Sequence, residues 1–393
     1  MIKLKENRYF NSASALGDEG FSKEIRQKVY NYHQSLPGYQ MTPLESLNQL
    51  AGHLQIDKLW VKNEAGRFNL NAFKGLGASY AVAAYFAERL NLDLENLSFE
   101  ELNHEISKAD KLTLATATDG NHGKSLAWAA RLFNQDAVVY MPKGSSPERL
   151  EAIRSQGAHA EMTDMNYDAT VNLIAEEAEE KGWVVIQDTA WEGYEKIPLW
   201  IMQGYSTLVS ELRHQLAEEL DTITHVILQA GVGSFAAAVL SSLLSELPDS
   251  SKIQFIIVES DQADPFFQSA HRKDGQAVSV EGDLATIMAG LACGKASSTA
   301  WEVLKEKANF FVSCSDEISA RGMRVLGNPL PGDSAVTAGE SGAVPVGFLY
   351  EVIQNLHYQD LKTSLSLGKH ARVLVINTEG DTDPENYRKI VWN

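Results

Sequence analysis

Cysteine is scarce in this sequence. Of 393 residues only two, Cys293 and Cys314, are cysteines, and they stand in neither a CxxC nor any zinc-ligand spacing. Two thiols are too few for a disulfide framework, so we expect buried free thiols in a reducing compartment, with a single bridge between them as the alternative. The sequence therefore predicts neither a metal site nor a disulfide-stabilised fold.

Long apolar runs are missing as well. No stretch approaches the roughly 20 apolar residues that cross a membrane. Residues 1–8 lack the apolar core of a signal peptide. We therefore expect a cytoplasmic protein without a membrane partner.

Positive charge is also in short supply, because 34 lysines and arginines face 52 acidic residues and give a formal net charge of -18. Nucleic acids and anionic membranes both require clustered basic residues, so the composition disfavours them as partners. No internal repeat or low-complexity tract is present. A hydrophobic content of 44% over this length can bury the cores of two domains. Chemistry on a small molecule is the function class that remains.

Strand-like and helix-like segments alternate along most of the chain. A strand over 58–64 leads through a turn into an amphipathic helix over 78–90, and further strands are predicted over 111–117, 137–141, 158–162, 184–187, 225–229, 253–259 and 372–377. Further helices are predicted over 122–133, 147–155, 167–181, 197–220 and 233–247. This alternation predicts βαβ units on parallel sheets. Residues 1–55, with a helix over 22–34, are expected to pack around a domain edge, and residues 92–108 to form a surface excursion.

Lys74 lies in the turn between the first of these strands and its helix. An amine at the mouth of a helix, beside backbone donors and partly desolvated, can have a lowered pKa and act as a carbonyl nucleophile, as Schiff-base chemistry requires. A solvent-facing surface lysine is the ordinary alternative, and the lysine alone favours it.

Four polar clusters follow predicted strands, which is where ligands bind in open α/β sheets. In the first, residues 115–123, glycines on either side of Asn121 and His122 offer backbone N–H groups to an anion such as a substrate carboxylate. The side chain of Asn121 can also donate to a phenolate oxygen. The same residues can simply cap a helix, and Asp119 stays ambiguous between a cap and a catalytic base.

The second and third clusters, residues 229–235 and 375–382, contain a Gly-x-Gly-Ser turn and a Thr-x-Gly turn. Glycines let a backbone approach a phosphate closely, and the following helix N-terminus holds it. The lack of a Gly-Lys-Ser/Thr ending excludes a Walker loop, and the lack of a third glycine leaves only a weak dinucleotide fingerprint. Thr378 can partner a ring nitrogen or only form a polar turn.

The fourth cluster, residues 187–194, carries two carboxylates beside aromatic residues. Asp188 and Glu192 would suit a substrate with an ammonium group, and a solvated acidic loop is an equal alternative. The glycine-rich segment 339–343 opens a further helix, where small residues indicate mainly packing.

Taken in order, the Asn-x-x-Lys turn, the Gly-Asn-His loop, the glycine-rich loop and the Thr-x-Gly turn resemble the fold-type II pyridoxal-phosphate enzymes, the group of threonine dehydratase and the tryptophan synthase β-chain. Within this group the chain is most similar to the diaminopropionate ammonia-lyases, from about residue 60 to the C-terminus. The segments that carry this resemblance are 71–74, 118–123, 187–194, 287–294 and 327–333.

The resemblance implies an α/β fold of two open, twisted, mostly parallel sheets flanked by helices, with the active site in the cleft between two domains. We expect residues 1–78 plus 194–393 to form the large cofactor-binding domain and residues 79–193 the small domain, because residues 191–197 interrupt the two strand–helix series. A homodimer is expected from the resemblance alone.

The implied reaction is pyridoxal-phosphate-dependent α,β-elimination of 2,3-diaminopropionate, in the L and also the D form, to pyruvate and ammonia, an ammonia-lyase step of amino-acid catabolism. Lys74 would hold the cofactor as a Schiff base and take the α-proton of the L isomer, and Asp119 that of the D isomer. By the same resemblance, the cofactor-binding residues are Lys74, Asn121, Gly231, Val232, Gly233, Ser234 and Thr378, and the substrate-binding residues are Thr118, Asp119, Gly120, His122 and Asp188, with Asp188 on the β-amino group.

Two other functions are compatible with these motifs. The first is a threonine or serine ammonia-lyase of the same fold, although such dehydratases have a small or hydroxyl residue where Asp119 stands. The second is an inactive relative that binds an amino acid or the cofactor as a sensor, with Lys74 structural.

Overall fold

The computed structural model describes residues 1–11, 19–118, 120–247, 249 and 252–392. The strands are β1 (Ile2–Glu6), β2 (Leu44–Ser46), β3 (Lys58–Asn63), β4 (Thr113–Ala117), β5 (Asp136–Met141), β6 (His159–Met162), β7 (Val184–Val185), β8 (His225–Gln229), β9 (Gln254–Ser260), β10 (Phe310–Cys314) and β11 (Arg372–Asn377).

The α-helices flank these strands in chain order. They are α1 (Lys23–Ser35), α2 (Asn48–His53), α3 (Gly75–Arg89), α4 (Phe99–Ile106), α5 (Asn121–Leu132), α6 (Pro147–Arg154), α7 (Tyr167–Lys181), α8 (Lys196–Tyr205), α9 (Thr207–Leu216), α10 (Ser234–Glu246), α11 (Pro265–His271), α12 (Ser298–Lys307), α13 (Asp316–Gly327), α14 (Glu340–Gln354), α15 (Gln359–Ser364) and α16 (Pro384–Val391). In the described ranges, no helix is both long enough and apolar enough to cross a bilayer.

Seven of the described strands form a sheet in the order β1-β10-β9-β8-β11-β3-β2. Its five inner strands are parallel, and the two edge strands pair antiparallel to their neighbours. Strand β8 has every residue buried, and β11 has all but its first. Such near-continuous burial is typical of parallel strands that are covered by helices on both faces.

A second described sheet contains four parallel strands in the order β6-β5-β4-β7. Together the two sheets confirm the predicted fold class of mostly parallel sheets flanked by helices. The four strands lie between residues 113 and 185, inside the predicted small domain of residues 79–193. The two domain boundaries themselves stay a prediction.

Helix α7 illustrates how local sequence sets an element. The side chain of Asn166 accepts a hydrogen bond from the Ala169 amide and caps the first turn, and Gly182 ends the helix in the left-handed conformation with φ of 70°. Asparagine at the N-cap and glycine after the last turn are the residue types that these positions favour. The predicted bounds, 167–181, are those observed.

The helix predicted over residues 197–220 was wrong, because two helices, α8 and α9, occupy this region. The amide of Ser206 donates to the carbonyl of Gln203, a tighter three-residue turn that interrupts the α-helical hydrogen bonds. The segment predicted as a surface excursion, residues 92–108, is mostly exposed or half-buried. It contains α4, which buries Phe99, Leu102 and Ile106 at helical spacing.

Helix α3 begins directly after Lys74 and packs against α8 and α5. A side chain at Gly204 of α8 would meet the carbonyl oxygen of Leu76 at 2.5 Å, so α8 and α3 require this close approach. One hydrophobic core joins residues of both sheets, including Val139 of β5 and Leu228 of β8. Both cysteines are buried free thiols, which confirms that expectation and excludes the bridge.

Candidate active site

One cavity lies where strands of both sheets end. Its volume is about 680 Å³, including its opening to solvent. It is lined by Phe73, Lys74, Thr118, Asn121, His122, Tyr167, Asp188, Tyr205, Gln229, Ala230, Gly231, Val232, Gly233, Ser234, Phe235, Gly290, Leu291, Cys293, Ser341, Thr378 and Glu379. Residues from all four polar clusters of the sequence therefore meet in one cavity, as does Lys74.

The turn that carries Lys74 is held by the turn after β11. The amide of Phe73 donates to the carbonyl of Thr378 at 3.1 Å, and the amide of Gly380 donates to the carbonyl of Asn71 at 3.0 Å. Asn71 has φ of 60°, a left-handed conformation that asparagine tolerates better than most residues. The lysine is therefore fixed between the start of α3 and the end of the last strand.

A buried ionic network anchors the same turn from its N-terminal side. Arg67 donates to both carboxylate oxygens of Glu64 at 2.8 Å and to both of Glu211 at 2.8 and 2.9 Å. Lys62 reaches Glu211 at 2.5 Å and the carbonyl of Thr42 at 2.7 Å. Charges this deeply buried are tolerated because each is paired, and removal of one partner typically costs about 3–5 kcal/mol.

The amine of Lys74 contacts the carboxylate of Asp188, with 2.5 Å between Nζ and Oδ2. His122 Nδ1 lies 3.9 Å from the same oxygen. Burial by itself would raise the pKa of Asp188, but the nearby charges of Lys74 and His122 and the lysine hydrogen bond lower it to about 2. Asp188 is therefore an ionised carboxylate inside the cavity at neutral pH.

His122 is oriented by the backbone of the strand-end segment that precedes Asp188. Its Nε2 lies 2.8 Å from the carbonyl oxygen of Ile186, which can only accept, so Nε2 carries a hydrogen. Nδ1 then faces Asp188. The imidazole is 1% exposed, which makes it a fixed part of the cavity wall.

The segment of residues 230–235 leads from β8 into the first turn of α10 and forms one wall of the cavity. Among the described residues, no hydrogen bond is made by the backbone N–H groups of Val232, Gly233, Ser234 or Phe235. Gly233 has φ of 92°, and a side chain on Gly231 would come within 2.8 Å of the carbonyl oxygen of Gly290. Free amides at a helix start, with glycines where the backbone must pass closely, suit a phosphate.

Two hydrogen bonds cross from other elements to the turn after β11. The amide nitrogen of Gln229 donates to the hydroxyl of Thr378 at 2.8 Å, and that of Asn121 donates to the carboxylate of Glu379 at 2.5 Å. Glu379 also accepts from the backbone amide of Ser341 at 2.9 Å. The Ser341 hydroxyl is buried and has no hydrogen-bond partner among the described residues.

The remaining predicted residues fall at the start of α5. The hydroxyl of Thr118 accepts from the amides of Gly120 and Gly123 at 3.0 and 3.2 Å, so Thr118 caps this helix while it lines the cavity. Gly120 lies beside the lining, with φ of 147°. Asp119 lies outside the described residues, and both predictions for it stay predictions.

Sequence reasoning missed several lining residues. Tyr205 is fully buried, its hydroxyl has no partner in the described part of the chain, and burial raises its pKa. Tyr205 lies inside a helix and Tyr167 begins one, so both read as ordinary amphipathic positions. Gln229 and Glu379 stand within the polar clusters, but no local pattern separated them from their neighbours.

Comparison with known proteins gives consistent results. A family model described as "Pyridoxal-phosphate dependent enzyme" matches residues 36–378. The chain is similar to diaminopropionate ammonia-lyase of Escherichia coli (strain K12), with 49% identity over 100% of this chain and 96% of that protein. It is equally similar to the Salmonella typhimurium (strain LT2) protein of the same name, with 49% identity over 94% of this chain and 92% of that one.

Solved structures agree with these sequence matches. The Escherichia coli diaminopropionate ammonia-lyase in complex with an aminoacrylate–PLP azomethine reaction intermediate has a TM-score of 0.92 and 47% identity, and the match covers 100% of this chain and 97% of that one. A threonine deaminase isoform from Solanum lycopersicum has a TM-score of 0.73 at 19% identity, covering 99% and 96% of the two chains. At that identity the second match shows the fold alone.

Proposed function

The chain belongs to the pyridoxal-phosphate dependent enzyme family, and we infer that it catalyses the α,β-elimination of 2,3-diaminopropionate to pyruvate and ammonia. The observation that carries this function is the contact between the Lys74 amine and the Asp188 carboxylate inside a cavity walled by the glycine-rich loop. The similarity to diaminopropionate ammonia-lyases over the whole chain supports it. The reaction consumes one water and releases two molecules of ammonia for each pyruvate.

The residues present fit pyridoxal phosphate. The free amides of residues 232–235 suit its phosphate, and the unpartnered buried hydroxyl of Ser341 lines the same cavity. We propose that Lys74 holds the aldehyde carbon, that Asn121 contacts the ring oxygen and that Thr378 contacts the ring nitrogen. When bound, the cofactor supplies a conjugated ring that withdraws electrons from the substrate α-carbon.

The protein's own groups then need to move protons and hold the leaving group. We propose that Lys74 Nζ takes the α-proton of the L isomer and that the Asp119 carboxylate takes that of the D isomer. The ionised carboxylate of Asp188 binds the β-ammonium group, and His122 keeps that carboxylate in place. Thr118 and Gly120 lie at the start of α5, where they would hold the substrate carboxylate.

The rival functions have less support. Curated L-threonine dehydratases match only 27% or 24% of positions, over 56% or 60% of this chain. A sensor would not need an amine and a carboxylate in contact inside the cavity. No observation of the cavity favours either rival.

The direct test is to reconstitute the purified protein with pyridoxal phosphate and measure 2-oxo acid release from a panel of amino acids, since 2,3-diaminopropionate and serine would give pyruvate and threonine would give 2-oxobutyrate. We expect rapid release from L-2,3-diaminopropionate, slower release from the D isomer and little from threonine or serine. If threonine or serine is the better substrate, the dehydratase is the correct function. If no 2-oxo acid is released from any of them, the enzyme assignment is wrong.

We also propose that the active form is a cytoplasmic homodimer. The resemblance supports the dimer, and the two buried free thiols suit a reducing compartment. Sedimentation equilibrium of the reconstituted protein tests the assembly. A mass equal to the 43.3 kDa chain would contradict it.

A further inference from the structure

Gln229 is a buried amide at the carboxyl end of β8, and it is 2% exposed. Its nitrogen Nε2 donates to the carbonyl oxygen of Ile376 at 3.1 Å and to the hydroxyl oxygen of Thr378 at 2.8 Å. Both acceptors belong to β11 or the residue just after it. An amide nitrogen carries two hydrogens, so these bonds use its whole donor capacity.

The orientation of this amide follows from its partners. The carbonyl oxygen of Ile376 can only accept, so the nitrogen of Gln229 must face it, since the flipped amide would bring two oxygens together. The second hydrogen of the same nitrogen then points to Thr378. The hydroxyl of Thr378 is consequently the acceptor in that bond, and its own hydrogen must be directed elsewhere.

The amide oxygen of Gln229 also indicates that this side chain is placed for the hydrogen bonds that its nitrogen donates. The oxygen Oε1 is buried and has no hydrogen-bond partner within the described residues. A buried acceptor that is left unpaired typically costs about 1–3 kcal/mol. A residue that only tied β8 to β11 would not need this arrangement, because both strands already pair through their backbones.

We propose that Gln229 is a positioning residue that turns the Thr378 hydroxyl into a hydrogen-bond donor toward the cofactor's ring nitrogen. A free hydroxyl can donate or accept, and the bond from Gln229 removes that choice. A donor at this place matches only a ring nitrogen with a free lone pair, so Gln229 keeps that nitrogen unprotonated. This role rests on the proposed function, since it requires pyridoxal phosphate in the cavity.

An unprotonated ring nitrogen affects the choice between β-elimination and transamination. A ring without a proton on its nitrogen is a weaker electron sink than a protonated ring. It therefore favours loss of the β-substituent over the transamination that a stronger sink permits. Gln229 would thus act on reaction specificity through Thr378.

The test uses the reconstituted protein without substrate and records the NMR chemical shift of the isotope-labelled ring nitrogen as a function of pH. Gln229→Met keeps the length of the side chain but removes both donors. Gln229→Glu replaces the donor with an acceptor that takes the hydrogen of Thr378. The matched control is Gln203→Met, because Gln203 is 9% exposed, donates to the carbonyl of Gly20 and does not line the cavity.

We expect an unprotonated ring in the unchanged protein and in the control. In Gln229→Met the pKa of the ring nitrogen should rise by about one unit, or about tenfold in proton affinity, and more in Gln229→Glu. Formation of pyridoxamine phosphate during turnover should increase in the same order. Two results would overturn the proposal. One is a protonated ring nitrogen in the unchanged protein, and the other is the same ring-nitrogen pKa in the unchanged protein, both Gln229 variants and the control.

Failure of the proposed function gives a different result. If pyridoxal phosphate does not become attached to Lys74, the proposed function fails, and this role fails with it. If the cofactor is attached and the substitutions at Gln229 do not change the titration of the ring nitrogen, only the role of Gln229 fails. If one variant does not fold, the other still decides, because either one removes the donor to Thr378.

Discussion

Asp188 shows how one buried carboxylate can be both a stabilising group and a binding group. Its charge is compensated by Lys74 at 2.5 Å, and the ion pair lies in the same cavity as the glycine-rich segment of residues 230–235. In the proposed function Lys74 holds the cofactor, which would leave the carboxylate of Asp188 to bind another cation. A β-ammonium group is the cation that the proposed substrate brings.

The pH dependence of stability tests the charge of Asp188 in the cofactor-free protein. The folded-state pKa, about 2, lies below the ordinary value of 3.8, so ionised Asp188 stabilises the fold above pH 3.8 and this contribution is lost as the pH falls through 2. The lowered pKa corresponds to roughly 2 kcal/mol. In urea unfolding, Asp188→Asn should therefore lose less stability on acidification than the unchanged protein. Equal losses would show that the pKa is not lowered.

Lys74→Ala should abolish both the borohydride-reducible attachment of pyridoxal phosphate and the turnover of both isomers, because no other amine lines the described cavity. The matched control is Lys124→Ala. Burial lowers the pKa of Lys124, but this lysine lies on α5 outside the cavity lining. If pyridoxal phosphate remains attached in Lys74→Ala and is lost in Lys124→Ala, then Lys124 is the reactive lysine.

Asp119 separates the two isomers in the proposed mechanism. Asparagine caps a helix about as well as aspartate, so a capping role predicts that Asp119→Asn keeps most of its activity. An amide cannot accept a proton, and a general base contributes about a hundredfold to ten-thousandfold. Steady-state kinetics should show a collapse with the D isomer and a smaller loss with the L isomer. Equal losses on both isomers would instead make Asp119 a binding residue.

At the scale of elements, the junction of β8 and α10 is defined by Gly233. It has φ of 92°, and a side chain there would collide with the ring of Phe266. Gly233→Ala should lower the free energy of unfolding by roughly 1–3 kcal/mol and weaken pyridoxal phosphate binding, because the loop amides must shift. Chemical denaturation and cofactor titration measure the two effects.

The control for this substitution is Gly182→Ala at the end of α7. Gly182 also has a left-handed φ, 70°, but no atom lies within 4 Å of the position that its side chain would take. It therefore carries the backbone strain without the collision. If the two variants bind cofactor equally well, the packing against Phe266 does not shape the loop.

The bounds of a helix or strand were predictable from the sequence where one local feature defined them. Strands β8 and β11 and helix α7 have the predicted bounds, because an apolar run or a capped amphipathic segment defines each one. The break at Ser206 is a single three-residue turn between α8 and α9, and no proline marks it in the local sequence. The hydrogen bond from Gln229 to Thr378 joins residues 149 apart, and no motif specifies such a contact.

At the scale of the whole molecule, a hydrophobic core joins residues of both described sheets, and the polar clusters line a single cavity at the strand ends. The order of the motifs along the chain was enough to predict that the clusters meet, because strand ends converge at one edge of a parallel sheet. It was not enough to predict the strand order, in which the last strand, β11, lies between β8 and β3.

This central position predicts the effect of truncation. A chain that ends at residue 371 lacks β11 and leaves the inner edges of β8 and β3 unpaired, so we expect it to be insoluble or unfolded by circular dichroism. A chain that ends at residue 383 lacks only α16 and keeps the complete sheet, so it should remain folded. A folded protein of 371 residues would show that β11 is dispensable.

The late position of β11 also bears on how the protein is made. The ribosome adds about 5–20 residues per second, so the 149 residues between Gln229 and Thr378 take roughly 7 to 30 seconds to synthesise. Throughout that time the nascent chain carries two apolar strands whose facing edges have no partner. Chaperones that hold unpaired strands would act in this interval, and a slower translation rate would lengthen it.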